Sequence, residues 1–375
     1  MLDSNREFYY DCIAQCSTLS NTEIECCTER VVAMTMKRGI LILAMVLSLL
    51  LLTACGGSAG TEESGNSEYQ KINLVMSVNG TDTQIDSRVA RCFAELVKER
   101  SGGNITVDVF PNDQLAGGNA TKGIEMIAQG SVDLAAYATC TLAVIDSQLP
   151  VATIPWSFDS YTEARQVIDA TGGAYYAERL AAKGITYIGS FHNGFRQLSN
   201  SKTVVDEPSD LKNLKIRVPG SEVYMGFFRA LGADPTSMSW SEVFTAIQQG
   251  TIDGQENGAS VTSTAKMDEI QKYMTIWNYS YENDLFIANT RIWNSLEENT
   301  RNLLTECAVE ACNWGRDMLE AEEADILARF EANGMTITYL NDEQKNAFAE
   351  AISDWKAGMI DRFGEYACAA FGISN

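Results

Sequence analysis

The sequence has little positive charge and almost no histidine. Its 375 residues include 50 acidic and 28 basic side chains, which gives a formal net charge of −22 at pH 7. An acidic surface repels phosphate backbones, so we expect no nucleic-acid partner. The single histidine, His192, argues against His-based zinc sites and weakens any Ser/His/Asp or Cys/His nucleophile. The sequence contains no phosphate-binding loop, dinucleotide fingerprint or HExxH motif, so we predict neither a metal nor a cofactor.

Long apolar runs and a regular cysteine pattern are also missing. Residues 39–52 form one apolar run, and no later run reaches the ~18 residues that a membrane helix needs. The cysteines that follow Cys55 are odd in number and irregularly spaced, so they do not indicate a disulfide framework. They are Cys92, Cys140, Cys307, Cys312 and Cys368.

The N-terminal region has the order of an export signal. Met36-Lys37-Arg38 precedes the apolar run, which ends at Leu52-Thr53-Ala54-Cys55. A short basic head, an apolar core and small residues before a cleavage point are typical of signal peptides. The end of the run resembles the bacterial lipobox, which implies that Cys55 is lipidated and anchors the protein to a membrane. An uncleaved anchor or a free thiol remains the alternative.

The position of this export signal divides the N-terminal region into three segments. We interpret residues 1–35 as a non-native extension, with Met34 or Met36 as the true start, because a signal head is only a few residues long. Residues 36–54 are then the lipoprotein signal peptide. Residues 55–69 are rich in Gly, Ser and Glu, which predicts a flexible tether. The remaining stretch of about 300 residues is long enough for two lobes.

Strand and helix patterns alternate along this body. Residues 71–76 have a strand pattern, residues 86–100 an amphipathic helix pattern, and residues 105–110 and 185–190 strand patterns. Such alternation predicts an α/β fold with parallel sheets covered by helices.

Residues 297–333 stand out because apolar side chains recur there at helical spacing without a proline. One helix of this length extends ~50 Å, which is longer than one lobe. We therefore expect it to lie across two lobes and to brace them. A break at Gly315 into two helices is the alternative.

Arg217 and Arg196 are the candidate ligand-binding side chains. Arg217 lies in an apolar strand pattern just before Pro219. A buried guanidinium is costly unless it pairs with an anion, and the carboxyl ends of strands in open α/β sheets bind ligands. The anion is either a ligand or an internal carboxylate, and the pattern alone leaves both open. Arg196 follows Gly194 and Phe195 after another strand, and the same two interpretations apply.

Three stretches, at residues 194–198, 210–219 and 240–257, resemble the DctP-like solute-binding proteins of tripartite ATP-independent periplasmic (TRAP) transporters. The block around Asp253-Gly254-Gln255-Glu256-Asn257 matches the family pattern nearly throughout, except that Gly258 replaces the usual proline. Asn213 also stands where the family usually has glycine. The resemblance runs from about Ile72 to about Trp355.

This resemblance implies a two-lobe, type II periplasmic-binding-protein-like architecture with the long helix across both lobes. Residues 70–192 and 282–322 would form lobe I, and residues 193–281 and 323–375 lobe II. It also implies an extracytoplasmic protein that catalyses no reaction. The protein would capture an organic acid by closing its lobes and deliver it to TRAP membrane subunits, which an ion gradient drives.

The resemblance also assigns the site residue by residue. Arg217 would be the main carboxylate clamp, and Arg196 a second cation nearby. Asn257 would donate from its amide, and Trp240 would pack on the carbon skeleton. Ser77, Gly118 and Ala138 align with positions where sialic-acid-binding members meet the sugar. The acidic residues of those members are missing here. Together with Trp240, this suggests a less hydroxylated acid, namely a small keto, hydroxy or dicarboxylic acid, or an aromatic one.

Asp253, Gln255 and Glu256 are expected to build a turn rather than to contact ligand. Three other functions remain possible from the sequence. They are a ligand-sensing module for a receptor kinase, a secreted enzyme, and a binding protein for an ATP-driven transporter. The single histidine argues against the enzyme, and the block that ends at Asn257 argues against the ATP-driven transporter.

Overall fold

The computed structural model describes residues 68–374. The predicted extension at residues 1–35, the signal peptide at residues 36–54 and the lipidation site at Cys55 lie outside the described residues, as does the tether up to residue 67. Within the described part, no helix has both the length and the apolar character that crossing a membrane requires.

Nine strands of the described residues form one mixed sheet. They are β1 (Ile72–Val78), β2 (Ile105–Phe110), β3 (Leu134–Ala138), β4 (Ile185–Asn200), β5 (Lys215–Val218), β6 (Asp234–Ser237), β7 (Gly254–Asn257), β8 (Tyr273–Asn289) and β9 (Thr336–Tyr339).

Twelve α-helices of the same region cover the sheet. They are α1 (Ile85–Arg100), α2 (Ala120–Gln129), α3 (Thr139–Leu142), α4 (Tyr161–Val167), α5 (Gly173–Ala181), α6 (Glu222–Ala230), α7 (Trp240–Gln248), α8 (Ala259–Thr264), α9 (Thr290–Ser295), α10 (Glu298–Ala332), α11 (Asp342–Ala351) and α12 (Ser353–Ala369). A π-helical turn at Ile168–Gly172 joins α4 to α5.

The sheet has two parallel halves joined by two long antiparallel strands. The strand order is β2-β1-β3-β8-β4-β7-β5-β6, and β9 also pairs with β8. Strands β1, β2 and β3 form the first half-sheet and β5, β6 and β7 the second, and the pairs within each half are parallel. Strands β4 and β8 pair with each other in antiparallel register.

The prediction of parallel sheets is right for the two half-sheets and wrong for the centre. Strand β4 also continues to Asn200, ten residues beyond the end of the predicted strand. Its pairing with β8 shifts register between Tyr187 and Gly189 and again between His192 and Gly194. Each shift breaks the period-2 pattern and bends the strand, so the sequence pattern reveals only its first segment.

Separate hydrophobic clusters stabilise the two halves. Met76 and Phe93 of the first half pack with Leu304 of α10. In the second half, Ile216 and Phe227 are the centre of another cluster with side chains of β8. Each half-sheet therefore has its own core.

The long helix is confirmed. Helix α10 runs without a break from Glu298 to Ala332, and Gly315 lies inside it. Its first part packs on α1, while Ile326 and Phe330 near its end pack against Ala259 and Met274. The helix therefore contacts elements that belong to both halves of the molecule.

Candidate functional site

A cavity lies where the carboxyl ends of strands from both half-sheets meet. Its volume is about 30 Å³. Residues from the first half, the second half and β4 line it together, namely Asn79, Gln84, Ala138, Cys140, Thr141, Asn193, Arg196, Arg217, Pro219, Trp240, Asn257 and Val261. An adjacent cavity of about 320 Å³ shares five of these residues, including Arg217 and Trp240. This is the location expected for a ligand in an open α/β sheet.

Arg217 is a buried cation with no acidic partner in the described chain. It lies on β5 and is 4% exposed. Its Nε and Nη2 atoms donate to the carbonyl oxygen of Met238 at 3.1 and 2.9 Å, and its guanidinium lies 5.3 Å from the ring centroid of Trp240. Burial lowers the pKa of Arg217 to about 10, so the side chain stays charged at neutral pH. A carbonyl dipole and an aromatic face are its direct contacts, and the charges of Glu256 and Glu242 act on it from beyond ion-pair distance.

Arg196, in contrast, is neutralised inside the protein. Its Nε lies 2.5 Å from Oε2 of Glu256, and its Nη2 lies 2.8 Å from Oε1 of the same carboxylate. Glu282 lies 3.9 Å from its Nη1. Burial acts to lower the pKa of Arg196, but the charge of Glu256 outweighs it and holds the pKa well above the usual range. Arg196 lines the cavity as one member of a buried ion pair.

The expected turn at Asp253, Gln255 and Glu256 is only partly right. Asp253 does lie at the turn, where its Oδ2 accepts a hydrogen bond from the backbone N–H of Lys215 at 2.9 Å. Gln255 and Glu256 are instead on β7, which pairs with β4 and places Glu256 opposite Leu198. The prediction is wrong for these two residues because the strand partner is more than 50 residues away in the sequence.

Trp240 and Asn257 both line the cavity. Trp240 is the first residue of α7, and its Nε1 donates to Oε1 of Gln84 at 3.2 Å, a bond between residues of opposite halves. Asn257 ends β7, and its side-chain amide has no hydrogen-bond partner among the residues that the structure describes. The carboxamide is therefore available to a bound molecule.

Ser77 and Gly118 are not among the residues that line the two cavities. Ser77 is buried in β1. Gly118 has a φ of +81°, and its carbonyl oxygen accepts a hydrogen bond from Oγ of Ser241 at 3.0 Å. This bond is a second link between the two halves across the mouth of the cleft. The ligand-contact roles of Ser77 and Gly118 remain predictions.

Three amides of the cavity wall were missed by sequence reasoning. They are Asn79, Gln84 and Asn193. Asn79 directly follows β1, and a polar residue just after a buried strand is a signal that could have found it. Asn193 lies inside the long strand β4, where no local pattern separates it from its neighbours.

The cavity contains groups for binding a small anion and no assembled nucleophile and base. Burial raises the pKa of Cys140 well above its usual value, so its thiol stays protonated. His192 is not in the lining. In the region covered by the structure, no group of three acidic, His or Cys side chains is placed to hold a metal ion.

Two half-sheets crossed by long strands and a bracing helix, with a cleft between them, define a two-lobed binding protein. The chain matches the family profile described as bacterial extracellular solute-binding protein, family 7 (DctP), over residues 76–360. It therefore belongs to this family, the solute-binding proteins of TRAP transporters.

Individual relatives agree with this assignment. A solute-binding protein of Verminephrobacter eiseniae is 32% identical over 73% of this chain and 81% of its own length. A TRAP periplasmic solute-binding protein of Ralstonia eutropha, crystallised with (S)-2-acetolactate, is 29% identical with a TM-score of 0.77 over 80% of this chain and 98% of its own. A sugar acid binding protein of Advenella mimigardefordensis, in complex with galactonate, is 25% identical with a TM-score of 0.78 over 81% of this chain and 97% of its own.

Proposed function

We propose that this protein captures a small organic acid outside the cytoplasm and delivers it to a TRAP-type secondary transporter. The observation that carries the proposal is Arg217, whose buried charge has no carboxylate partner in residues 68–374. Such a charge is costly to bury alone, and a ligand carboxylate would compensate it. The solved relatives with acetolactate and galactonate both hold carboxylic acids, which supports the same ligand class here.

The site residues then have distinct roles. The planar guanidinium of Arg217 would clamp the ligand carboxylate, and the free amide of Asn257 would donate to one of its oxygens. Trp240 would pack on the carbon skeleton. Arg196 would act mainly through the field of its ion pair with Glu256. For Ser77 and Gly118, alignment with the family is the only support.

The two lobes would move as bodies during capture. We assign residues 70–192 and 282–322 to lobe I, and residues 193–281 and 323–375 to lobe II. Both boundaries in β4 and β8 fall within the long antiparallel pair, which is the connection between the half-sheets. A cavity of about 30 Å³ has room for little more than one or two waters. The adjacent cavity of about 320 Å³ also reaches Arg217. The ligand would enter an open form and be enclosed when the lobes close, which would exclude water and strengthen the contacts of Arg217.

Delivery requires a membrane partner, and the acid leaves the site chemically unchanged. We propose that lipidation of Cys55 holds the protein in the periplasm or at the outer face of the cell membrane, close to that transporter. Metabolic labelling with a fatty-acid analogue tests this. Label in the wild-type protein that is lost in Cys55→Ala supports the anchor, and equal label or none in both proteins refutes it.

Isothermal titration of the full-length protein with a panel of carboxylic acids tests the capture function. At a hundredfold excess over its Kd, a bound acid should also stabilise the fold by about 2.7 kcal/mol. We expect Arg217→Met, which keeps the aliphatic stem but removes the charge, to weaken binding at least about a hundredfold. Arg229→Met, at an exposed arginine near the end of α6, is the matched control.

Two results would count against the proposal. If no carboxylic acid binds to the folded protein, the cleft is not an organic-acid site. If an acid binds equally well to the wild type and to Arg217→Met, the acid is recognised elsewhere.

A further inference from the structure

The cavity lining combines one buried cation with several amides. Arg217, on the second half-sheet, provides the positive charge. The amides Asn79 and Gln84 of the first half and Asn193 of β4 also line the cavity. What these amides present to a ligand depends on how the protein orients them.

Asn193 presents an acceptor. The residue is 5% exposed, and its Nδ2 donates to Oδ1 of Asp284 at 3.1 Å. Its Oδ1 is buried and has no hydrogen-bond partner among the described residues. An unpaired buried carbonyl oxygen is costly, and only a donor can satisfy it. A ligand hydroxyl is such a donor.

Asn79 is oriented in the same way. Its Nδ2 donates to Oδ2 of Asp113 at 2.5 Å, and the other oxygen of Asp113 accepts from the hydroxyl of Tyr137 at 2.5 Å. Asp113 accepts from the amide nitrogen, and the Oδ1 of Asn79 has no hydrogen-bond partner among the described residues. Gln84 differs, since its Oε1 accepts from Trp240 and its amide nitrogen remains a donor.

The charges of the lining restrict the ligand further. Arg196 is neutralised by Glu256, so Arg217 is the only uncompensated cation among the residues that line the cavity. A second ligand carboxylate would meet the oxygens of Asn79 and Asn193 and one neutral amide, without a cation. A ligand ammonium would find no carboxylate in this lining, and Glu242 of the adjacent cavity is the acidic group that could reach it.

We propose that the ligand is a hydroxy monocarboxylate, whose carboxylate binds Arg217 and whose hydroxyl donates to Asn193 and Asn79. Asp284 and Asp113 are positioning residues that fix the two amides with their oxygens free. The inference rests on the proposed capture of an organic acid and narrows it to one class.

Titration calorimetry with acids of equal length tests this in the full-length protein. The four-carbon set contains 2-, 3- and 4-hydroxybutanoate and 2,3,4-trihydroxybutanoate, compared with butanoate, 2-oxobutanoate, 2-aminobutanoate and succinate. A six-carbon set contains gluconate, hexanoate and adipate. In at least one set, we expect a hydroxy acid to bind at least about tenfold more tightly than the unsubstituted acid and the dicarboxylate.

A variant separates the role of Asn193 from general stability. Asn193→Leu keeps the approximate size and removes the acceptor, so the preference for the hydroxy acid over the unsubstituted acid should fall to about twofold or less. Asn333→Leu is the matched control, because Asn333 also donates to a carboxylate, that of Asp268, but is exposed and is not among the lining residues. If Asn193→Leu does not fold, Asn79→Leu tests the second acceptor at a partly exposed position.

Several outcomes would overturn the inference while leaving capture intact. Succinate, adipate, 2-oxobutanoate or 2-aminobutanoate binding as tightly as the best hydroxy acid would do so, and so would an unchanged preference in Asn193→Leu. Binding of no acid from either set would refute organic-acid capture itself, and the inference with it.

Discussion

At the residue scale, the two arginines of the cleft show how the same side chain can serve binding or stability. Arg196 and Glu256 are both buried and form a two-bond ion pair, and the hydroxyl of Tyr279 also donates to Glu256 at 2.7 Å. Arg217 lacks such a partner in the described chain. The charge of Arg196 is thus paired inside the fold, whereas the charge of Arg217 is available to pair with a ligand carboxylate.

Removing the charge of Glu256 should therefore be costly for stability. Glu256→Gln leaves the guanidinium of Arg196 buried beside Glu282 alone, and we expect the free energy of unfolding to fall by about 3–5 kcal/mol. Urea denaturation followed by circular dichroism measures this change.

The matched control is Glu310→Gln. Glu310 pairs with Arg100 at 2.6 Å, but both side chains are about one-third exposed, so the loss should be about 1 kcal/mol or less. Equal losses in the two variants would show that burial does not set the strength of the Arg196 pair.

At the scale of elements, Gly315 explains how α10 packs so closely on α1. A Cβ atom at this position would lie 2.4 Å from Cγ2 of Val89, far inside van der Waals contact. Glycine lowers intrinsic helix stability by about 1 kcal/mol relative to alanine, yet α10 is continuous through it. The missing side chain of Gly315 thus allows α10 and α1 to approach each other closely.

Gly315→Ala should destabilise the protein although alanine is the better helix former. We expect a net loss of about 1–2 kcal/mol, because overpacking against Val89 outweighs the gain in helix propensity. Gly358→Ala in α12 is the matched control, since a Cβ there meets no atom within 4 Å, and it should gain about 0.5–1 kcal/mol.

A double-mutant cycle in thermal or urea unfolding locates the cause of the Gly315→Ala loss. Val89→Ala should remove most of the added cost of Gly315→Ala, which gives a coupling of about 1 kcal/mol or more between the two positions. Additive effects would mean that the clash with Val89 is not the source.

Helices and strands that keep the same packing partners along their length could be predicted from the sequence. Strands whose partners change along their length could not. Helix α10 and the strands of the first half-sheet have apolar residues at one fixed period, and their predicted bounds agree with the structure to within about two residues. Strand β8 pairs with β9 at its beginning and with β3 at its end, whereas β4 pairs with β7 only at its end. The pairing of β4 with β8 also shifts register along its length. No single period describes them.

The site residues show the same difference in how well the sequence predicts them. Arg217, Trp240 and Asn257 lie in local motifs, and all three line the cavity. The free oxygens of Asn79 and Asn193 depend on carboxyl partners that are 34 and 91 residues away in sequence, so only the folded chain reveals their orientation.

At the scale of the whole molecule, the junction where β4 passes from one half to the other contains half-buried titratable groups. The hydroxyl of Tyr161 accepts from the backbone N–H of Phe195 at 3.2 Å and also meets Glu323 of α10. Burial raises the pKa of Glu323 to about 7, although its bond with Tyr161 acts in the other direction. Ionisation of Glu323 near neutral pH thus acts on a point that connects α4, β4 and α10.

The direction of the pH effect follows from proton binding. Between pH 4.5 and about 7, the folded chain holds a proton on Glu323 that the unfolded chain has lost. The contribution of Glu323 to the free energy of unfolding is therefore fully present below pH 4.5 and is lost as the pH rises through about 7. Glu323→Gln cannot ionise, so it should match the wild type near pH 4.5 and exceed it by about 1–2 kcal/mol at about pH 8.5, a value reduced for the partial exposure of Glu323.

The comparison must be made between variant and wild type, because His192 titrates in the opposite sense. Its Nδ1 lies 2.7 Å from the hydroxyl of Tyr281, and burial lowers its pKa to about 3, so its contribution grows as the pH rises from about 3 to 6.5. The contribution of His192 to the free energy of unfolding is the same in the wild type and in Glu323→Gln, so it cancels when the two are compared. Urea unfolding of the wild type, Glu323→Gln and the control Glu331→Gln, an exposed residue of α10, measures that difference at each pH. If the free energies of unfolding of the wild type and Glu323→Gln differ by a constant amount from pH 4.5 to 8.5, Glu323 does not titrate in this range. The stability of the junction would then not depend on ionisation of Glu323.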